Sequence, residues 1–379
     1  MTGAATLRHA VIAYETEAAA RGRLMAHGYA PDIAAEIAVY LAQSTDLPAF
    51  MPEISHALLG CGIGVEFVEL DDLARALARP GRIAAESLLW NLTDGIRFYR
   101  GSAVPALGRL LGVPRYGSSA TAQHLCQDKF LSGAAAHAAG LPCPPTLLLE
   151  GGDTLGQIGD WPGDGPFFVK PDTLGAKIGI FADSRCAILD DARERATRLS
   201  DRYGDRAVVQ PFIPGDDVRV SFLDTGGGIR AQLGIFRLAR DARGETGGAF
   251  MTMRDNETLS GSRDTAGTRG AFGAGRPAAF VPAMVDLRSD PSAEARVDAI
   301  ERAAIRLCRA IGLADCYSMD FRIDSRSGAP VFLEFEVCPA VTIYDFQAYL
   351  RGAHGLTLGA ALAKSFRLAH RRAGTRATA

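Results

Sequence analysis

A chain of 379 residues that is 47% hydrophobic with a formal net charge of −2 is long enough for two or three domains with full cores, and its near-neutral balance gives no electrostatic footing for nucleic acid or an anionic membrane. Its seven cysteines include no C-x-x-C pair, which argues against a disulfide framework or a zinc site and for reduced thiols in a cytoplasmic protein. No stretch approaches a membrane span, and the first residues show no basic start followed by an apolar signal core.

In chain order, Arg8 to Tyr14 reads as a buried strand, followed by Ala-rich helical sequence with a pattern from Pro31 to Gln43. Gly64 to Leu70 is a second strand, Asp71 to Ala78 a helix begun by acidic capping residues, and Leu88 to Leu92 a third strand running into Thr93, Asp94 and Gly95. This alternation predicts an open α/β layer, and no G-x-G-x-x-G loop supports a dinucleotide site. From Val113 a short strand and a Gly-Ser loop lead into a helix from about Ala120 carrying Asp128 and Lys129, then a second helix and a Gly-Leu-Pro turn. Pro166 to Asp183 predicts an apolar strand ending at Lys170, a loop holding Gly175 and Lys177, and a return strand over Ile178 to Phe181. A loop of this kind can set backbone N–H groups against phosphates, and a strand-borne lysine supplies a point charge. A plain hairpin with one buried-edge lysine is the structural alternative, and the Walker A spacing is absent.

Ala207 to Leu223 reads as two strands around Pro214-Gly215 with Asp216 and Asp217 at the turn exit. It is either an interdomain hinge, where an adenine lies against Phe212 and a carboxylate holds ribose hydroxyls, or a plain hairpin with a polar tip. Ala293 to Ile311 is an amphipathic helix with Ala299, Ile300, Ala303, Ala304, Leu307 and Ile311 on its apolar face, and the residues from His370 read as a solvated tail. Chemistry is densest in Ser318 to Thr342, a predicted hairpin whose parity places Met319, Phe321, Ile323, Val331, Leu333, Phe335 and Val337 on one face. Ser318, Asp320, Arg322, Glu334 and Glu336 fall on the other, with Phe332 as its single apolar member. Three carboxylates on one face suit Mg²⁺ or Mn²⁺; a solvated face neutralised by Arg322 is the competing reading.

Taken together, NLTDG, GVPRYGSS, DKFLS, GLPCPP, FFVKP, QPFIPGDD, MDFRID and LEFEVCP occur in an order and at separations that resemble the ATP-grasp superfamily, most closely its D-alanine–D-alanine ligase branch. The resemblance covers roughly Asn91 to Thr342. It implies an α/β ATP-grasp fold of three α/β domains, with ATP between a central lid and the C-terminal domain: residues 1–118, 119–213 and 214–366, then a tail over 367–379. It implies that Lys129 and Lys170 bind the ATP phosphates, that Gln210 reads the adenine amine where the family usually has Glu, that Phe212 and Ile213 contact the base, and that Asp217 takes the ribose. Asp320, Glu334 and Glu336 would carry two Mg²⁺ ions, Glu336 standing where the ligases commonly have Asn, and the Gly175 loop would close over the γ-phosphate. The segment Asp241 to Arg276 falls where the family has a loop that folds over the nucleotide, with Arg254 as the cation aimed at a phosphate; a disordered insertion fits its composition equally. The implied reaction joins a carboxylic acid donor to an amine acceptor through an acyl phosphate, releasing ADP, and family members are often dimers, so a homodimer is a compatible state.

The departures bear on substrate. The ligases carry an Arg two residues before the metal Asp, where this chain has Ser318, and a Ser after the metal strand, where it has Asp345. Losing a cation and gaining an anion disfavours a carboxylate-bearing acceptor, so a non-standard acceptor in specialised metabolism is the expectation. Arg322 on the same face is the candidate to compensate. Gly175-Ala176-Lys177 replaces the family's Gly-Ser-Ser, leaving Lys177 to approach phosphate or solvent. For the family's donor-binding Glu, Glu15 and Glu36 are the candidates. A genuine D-alanine–D-alanine ligase and a catalytically silent nucleotide-binding regulator are the rival readings.

Overall fold

The computed structural model describes residues 6–45, 47–81, 83–93, 100–239, 250, 283–337 and 345–376, which form three sheets. In the first, β1 (His9–Tyr14), β2 (Gly64–Glu69), β3 (Ser87–Asn91) and β4 (Arg115–Tyr116) run parallel in the order β2-β1-β3-β4. β3 is buried along its length, as expected of a parallel strand covered on both faces. The second sheet holds β5 (Thr146–Glu150), β6 (Asp153–Ile158), β7 (Phe167–Pro171), β8 (Arg185–Cys186) and β9 (Ala207–Pro211), antiparallel in the order β6-β5-β9-β7-β8. The third holds β10 (Gly215–Leu223), β11 (Leu233–Ala239), β12 (Ala283–Asp286), β13 (Cys316–Asp324) and β14 (Pro330–Glu336) in the order β12-β11-β10-β13-β14.

β9 and β10 therefore do not pair with each other: the chain leaves the second sheet and enters the third across Phe212 to Pro214, which is the hinge arrangement and not the hairpin. The crossing is tight at Gly215, whose φ is +149°; a Cβ built there would lie 1.7 Å from the Ile323 carbonyl oxygen on β13. Gly215→Ala can be accommodated only by pulling β10 off β13. We expect it to cost more than about 2 kcal/mol, read as a shift in the urea midpoint.

The second sheet buries one face. Leu147, Leu149, Phe167, Val169, Ala207 and Val209 pack under the helix Leu189–Tyr203, through Ala192, Ala196 and Leu199. The helices Glu17–Ala26 and Pro31–Thr45 extend the same core with Leu24, Ile33 and Ile37. Helix Glu294–Ile311 lays Val297, Ile300, Ala304 and Leu307 into the core of the third sheet. The helix Leu358–Arg376 returns to the first sheet, with the Phe366 ring 4.5 Å from Tyr116 and 5.4 Å from Trp90.

Four local expectations are corrected. The run from Ala120 is two helices, Ala120–Leu125 and Lys129–Ala138, because Asp128 leaves the helical region and caps the second by accepting from the Leu131 N–H at 2.7 Å. Ile178 to Phe181 is not a strand; the residues that return to β7 are Arg185 and Cys186. On the carboxylate hairpin, Asp320 faces Glu334 while Phe321 faces Phe332, so Leu333 is an extra residue in a β-bulge. The bulge turns Phe332 into the core against Phe321 and removes Val331 and Leu333 from the buried face. Finally, the residues from His370 to Arg376 are helical and not a tail: the His370 ring bonds the Ala85 carbonyl, and Arg372 pairs with Asp224 and Asp315.

Candidate active site

The open face of the second sheet is set by strand parity. β7 and β9 alternate, so while Phe167, Val169 and Val209 enter the core, Phe168 and Lys170 lie opposite Gln210 and Val208 on the other face. There Lys170 is 6% exposed. Burial lowers its pKa, Glu334 and Asp320 from the third sheet oppose that shift, and Lys129 adds to it. The Lys129 Nζ lies 2.7 Å from the Leu174 carbonyl and 3.9 Å from a Glu334 oxygen. Although 39% of the Glu334 side chain is exposed, burial opposes its ionisation; Lys170, then Lys129, Arg219 and Lys177, outweigh this and hold its carboxyl below the usual range. Lys129, Lys170 and Glu334 thus converge where the two sheets meet.

The loop after β7 is braced from beneath. Arg206 donates to Asp128 at 2.9 Å and to Asp172 at 2.6 Å, the Phe130 N–H donates to Asp172, and Asp205 accepts from both the backbone and the hydroxyl of Thr173. Ala176 and Lys177 have φ of +50° and +63°, two consecutive non-glycine residues in the left-handed region, a conformation that persists only where surroundings enforce it. Asp172 is fully buried, and desolvation together with Asp128 raises its pKa to about 6 from 3.8. The folded state therefore holds this proton more tightly than the unfolded chain, so stability falls as pH rises through that window. In Asp172→Asn that part of the slope is expected to vanish, measurable by comparing urea midpoints at acid and neutral pH.

At the hinge end, Arg322 is 6% exposed; its Nε donates to the Ile213 carbonyl at 2.5 Å and its Nη1 to Asp217 at 2.7 Å. Arg322 is thus engaged at the hinge, beside Asp217. β13 pairs with β10 so that Arg322 faces Asp217, while Asp320 faces Arg219. Arg219 grips Asp320 with two bonds of 3.0 and 3.1 Å. Arg219 was not marked by its own sequence context; only the β10–β13 register shows that it is the cation beside Asp320. Around Phe212, the Arg185 guanidinium lies 4.5 Å from the ring centroid, and Phe168, Phe212 and Phe250 form an aromatic cluster with centroids 4.9 to 6.2 Å apart. The Gln210 amide bonds the Thr146 hydroxyl at 3.0 Å.

The remaining candidates are dispersed. Ser318 is buried on β13 opposite Ser221 and Glu336. Glu336 Oε1 accepts the Val337 N–H at 2.8 Å. Gly175 accepts the Ile178 N–H in the loop. Glu15 is held by Arg23 at 2.6 Å and Arg100 at 2.8 Å, and Glu36 by Arg202 and Tyr203, so both are committed to ion pairs or hydrogen bonds within the protein. Asp345 opens the helix Asp345–His354, but its side chain lies outside the described residues, as do Arg254 and Asp94. Asp320, Glu334 and Glu336 are oxygen donors suited to a hard divalent ion, yet among the described residues no three such side chains converge as they stand. No described helix is long and apolar enough to cross a membrane.

Three sheets, a chain crossing from the second to the third at a glycine, and lysines facing carboxylates across that junction are consistent with an ATP-grasp architecture. Solved structures agree on the fold: D-alanine–D-alanine ligase from Bacillus anthracis complexed with ATP superposes with a TM-score of 0.62 at 14% identity, over 98% of this chain and 99% of that one. The VanG D-Ala:D-Ser ligase from Enterococcus faecalis gives 0.57 at 15% identity, over 96% and 100%. By sequence, the chain is 27% identical to the D-alanine–D-alanine ligase of Gloeobacter violaceus over 61% of its own length and 65% of the relative's. It is 32% identical to that of Syntrophotalea carbinolica over 45% and 52%. The chain thus spans between half and two thirds of the length of these curated relatives, and no protein-family model matches it. The chain is thus similar in sequence to D-alanine–D-alanine ligases and shares the fold of their solved structures.

Proposed function

We propose that the chain is an ATP-dependent carboxylate–amine ligase that binds ATP between the second and third sheets and forms an amide through an acyl phosphate. The observation that carries this is the meeting of Lys129 and Lys170 with Glu334 and Asp320 across the sheet junction. In this reading the two ammonium groups receive the phosphates, and the braced loop at Gly175 to Lys177 lies over the γ-phosphate. Asp217, steadied by Arg322, takes the ribose. Asp320, Glu334 and Glu336 would hold two Mg²⁺ or Mn²⁺ ions, which supply charge neutralisation for phosphoryl transfer. Arg219 must then release Asp320. A donor carboxylate oxygen attacks the γ-phosphorus as ADP leaves; the amine then attacks the acyl carbon and phosphate departs. Exclusion of water protects the acyl phosphate.

D-Alanine as donor and acceptor is the first substrate pair to test. The curated relatives support it, and Arg219 restores a cation near the face that Ser318 leaves neutral, which weakens the case against a carboxylate-bearing acceptor. A second reading, a non-standard acceptor in specialised metabolism, draws on Glu15: paired with Arg23 and Arg100, it offers little negative charge to a substrate ammonium. The test is product analysis with Mg-ATP, hydroxylamine as nucleophile, and D-alanine against a panel of other acids. ADP with a hydroxamate supports the ligase and names the donor; bound but unchanged ATP would replace it with a silent nucleotide-binding protein, and AMP would refute the acyl-phosphate route.

A further inference from the structure

We propose that Thr146 is a positioning residue that fixes which end of the Gln210 amide is offered to the nucleotide base, and so makes the site select a 6-amino purine. The inference rests on the nucleotide-binding reading above. Both residues are buried, Thr146 at 2% and Gln210 at 8% exposure, on neighbouring strands β5 and β9. The Thr146 hydroxyl has one hydrogen, and it goes to the Pro144 carbonyl at 3.0 Å, an atom that can only accept. Its oxygen is therefore left to accept, and what it accepts is the Gln210 amide N–H at 3.0 Å. The orientation of the amide follows from this chain of bonds: turning it over would set the Gln210 oxygen against the Thr146 oxygen, or force the hydroxyl to abandon Pro144.

The consequence is chemical. A carboxylate accepts hydrogen bonds whichever way it turns, whereas an amide accepts from one end only. With its nitrogen committed to Thr146, Gln210 keeps its carbonyl oxygen for another partner, and among the described residues none donates to it. Register places Gln210 opposite Phe168 and one alternate step along the sheet from Lys170, on the face that carries the phosphate-binding lysine. An acceptor at that point matches the exocyclic amine of adenine. It opposes the carbonyl of a 6-oxo purine, which would bring two acceptors together.

The experiment compares ATP with inosine triphosphate, which differs at the 6-position, by calorimetric titration of the full chain. The unmodified protein is expected to bind ATP about tenfold or more tightly than inosine triphosphate. Thr146→Val, similar in shape but without the hydroxyl, frees the amide to turn and is expected to bring that ratio down to within about threefold. Thr146→Ser, which keeps the hydroxyl, is expected to retain it. Equal affinities in the unmodified protein overturn the proposal without need of any variant, as does a ratio left unchanged by Thr146→Val with ATP binding intact. Failure of the unmodified protein to bind either nucleotide overturns the nucleotide-binding reading itself, and the inference with it.

Discussion

Lys170→Met is expected to lower ATP turnover by about two to three orders of magnitude, the effect typical of removing one preorganised charge from a phosphoryl-transfer site. Two features make the loss specific. Lys170 is buried on the open face of the second sheet, where its charge is weakly screened and costly to maintain, and its first electrostatic counterpart is Glu334 on a different sheet. Methionine keeps the volume and removes the desolvation cost, so the thermal midpoint is expected to hold or rise while nucleotide affinity falls. Steady-state kinetics with a thermal melt checks both halves. A variant that melts early yet still turns over ATP would show that Lys170 is a structural counter-ion of Glu334 and not a phosphate ligand.

Glu334→Gln is expected to produce the opposite pattern in binding and a similar loss in turnover. Glu334 is the anion among Lys170, Lys129, Arg219 and Lys177, and they hold its carboxyl ionised despite burial. Neutralising it leaves the four cations facing the cleft without that counter-charge. Metal-free ATP, itself an anion, should then bind at least as tightly as before, because a repulsive carboxylate has gone. Metal-dependent turnover should fall by about a thousandfold if Glu334 holds the ion that offsets charge during transfer. Nucleotide titrations with and without Mg²⁺, alongside turnover, separate these effects; weaker metal-free binding with turnover retained would remove Glu334 from the metal role.

Much of this site was legible without coordinates because its elements are local. The alternation of Cys316–Asp324 and Pro330–Glu336, the turn chemistry between them, and the apolar strand running into Lys170 are patterns of period two and of Gly, Pro and Asp placement. So was the amphipathic helix ending at Ile311. Lys129 and Lys170 drew notice from their order along the chain, since either one alone is an ordinary surface or edge lysine. Periodicity failed where one residue changed the count: the bulge at Leu333 reversed Phe332, and a parity argument carried through it assigns the wrong face.

Local pattern therefore located most of the strands and helices and the residue types at their ends, but not the loop over Ile178 to Phe181 or the helical end after His370. Only the tertiary structure decided partnership. Arg322 and Arg219 both lie on the carboxylate side of their strands, and each could neutralise Asp320; β10 set against β13 gives Asp320 to Arg219 and Asp217 to Arg322. The residues after His370 are rich in Arg and Ala and carry no strong apolar period, yet they form the end of a helix because Phe366 upstream is anchored between Trp90 and Tyr116 and Arg372 meets Asp224 and Asp315. The physical reason is common to both cases. Propensity and pattern act over a few residues, whereas a charge chooses its partner, and a marginal helix its support, from surfaces supplied by segments more than a hundred residues away.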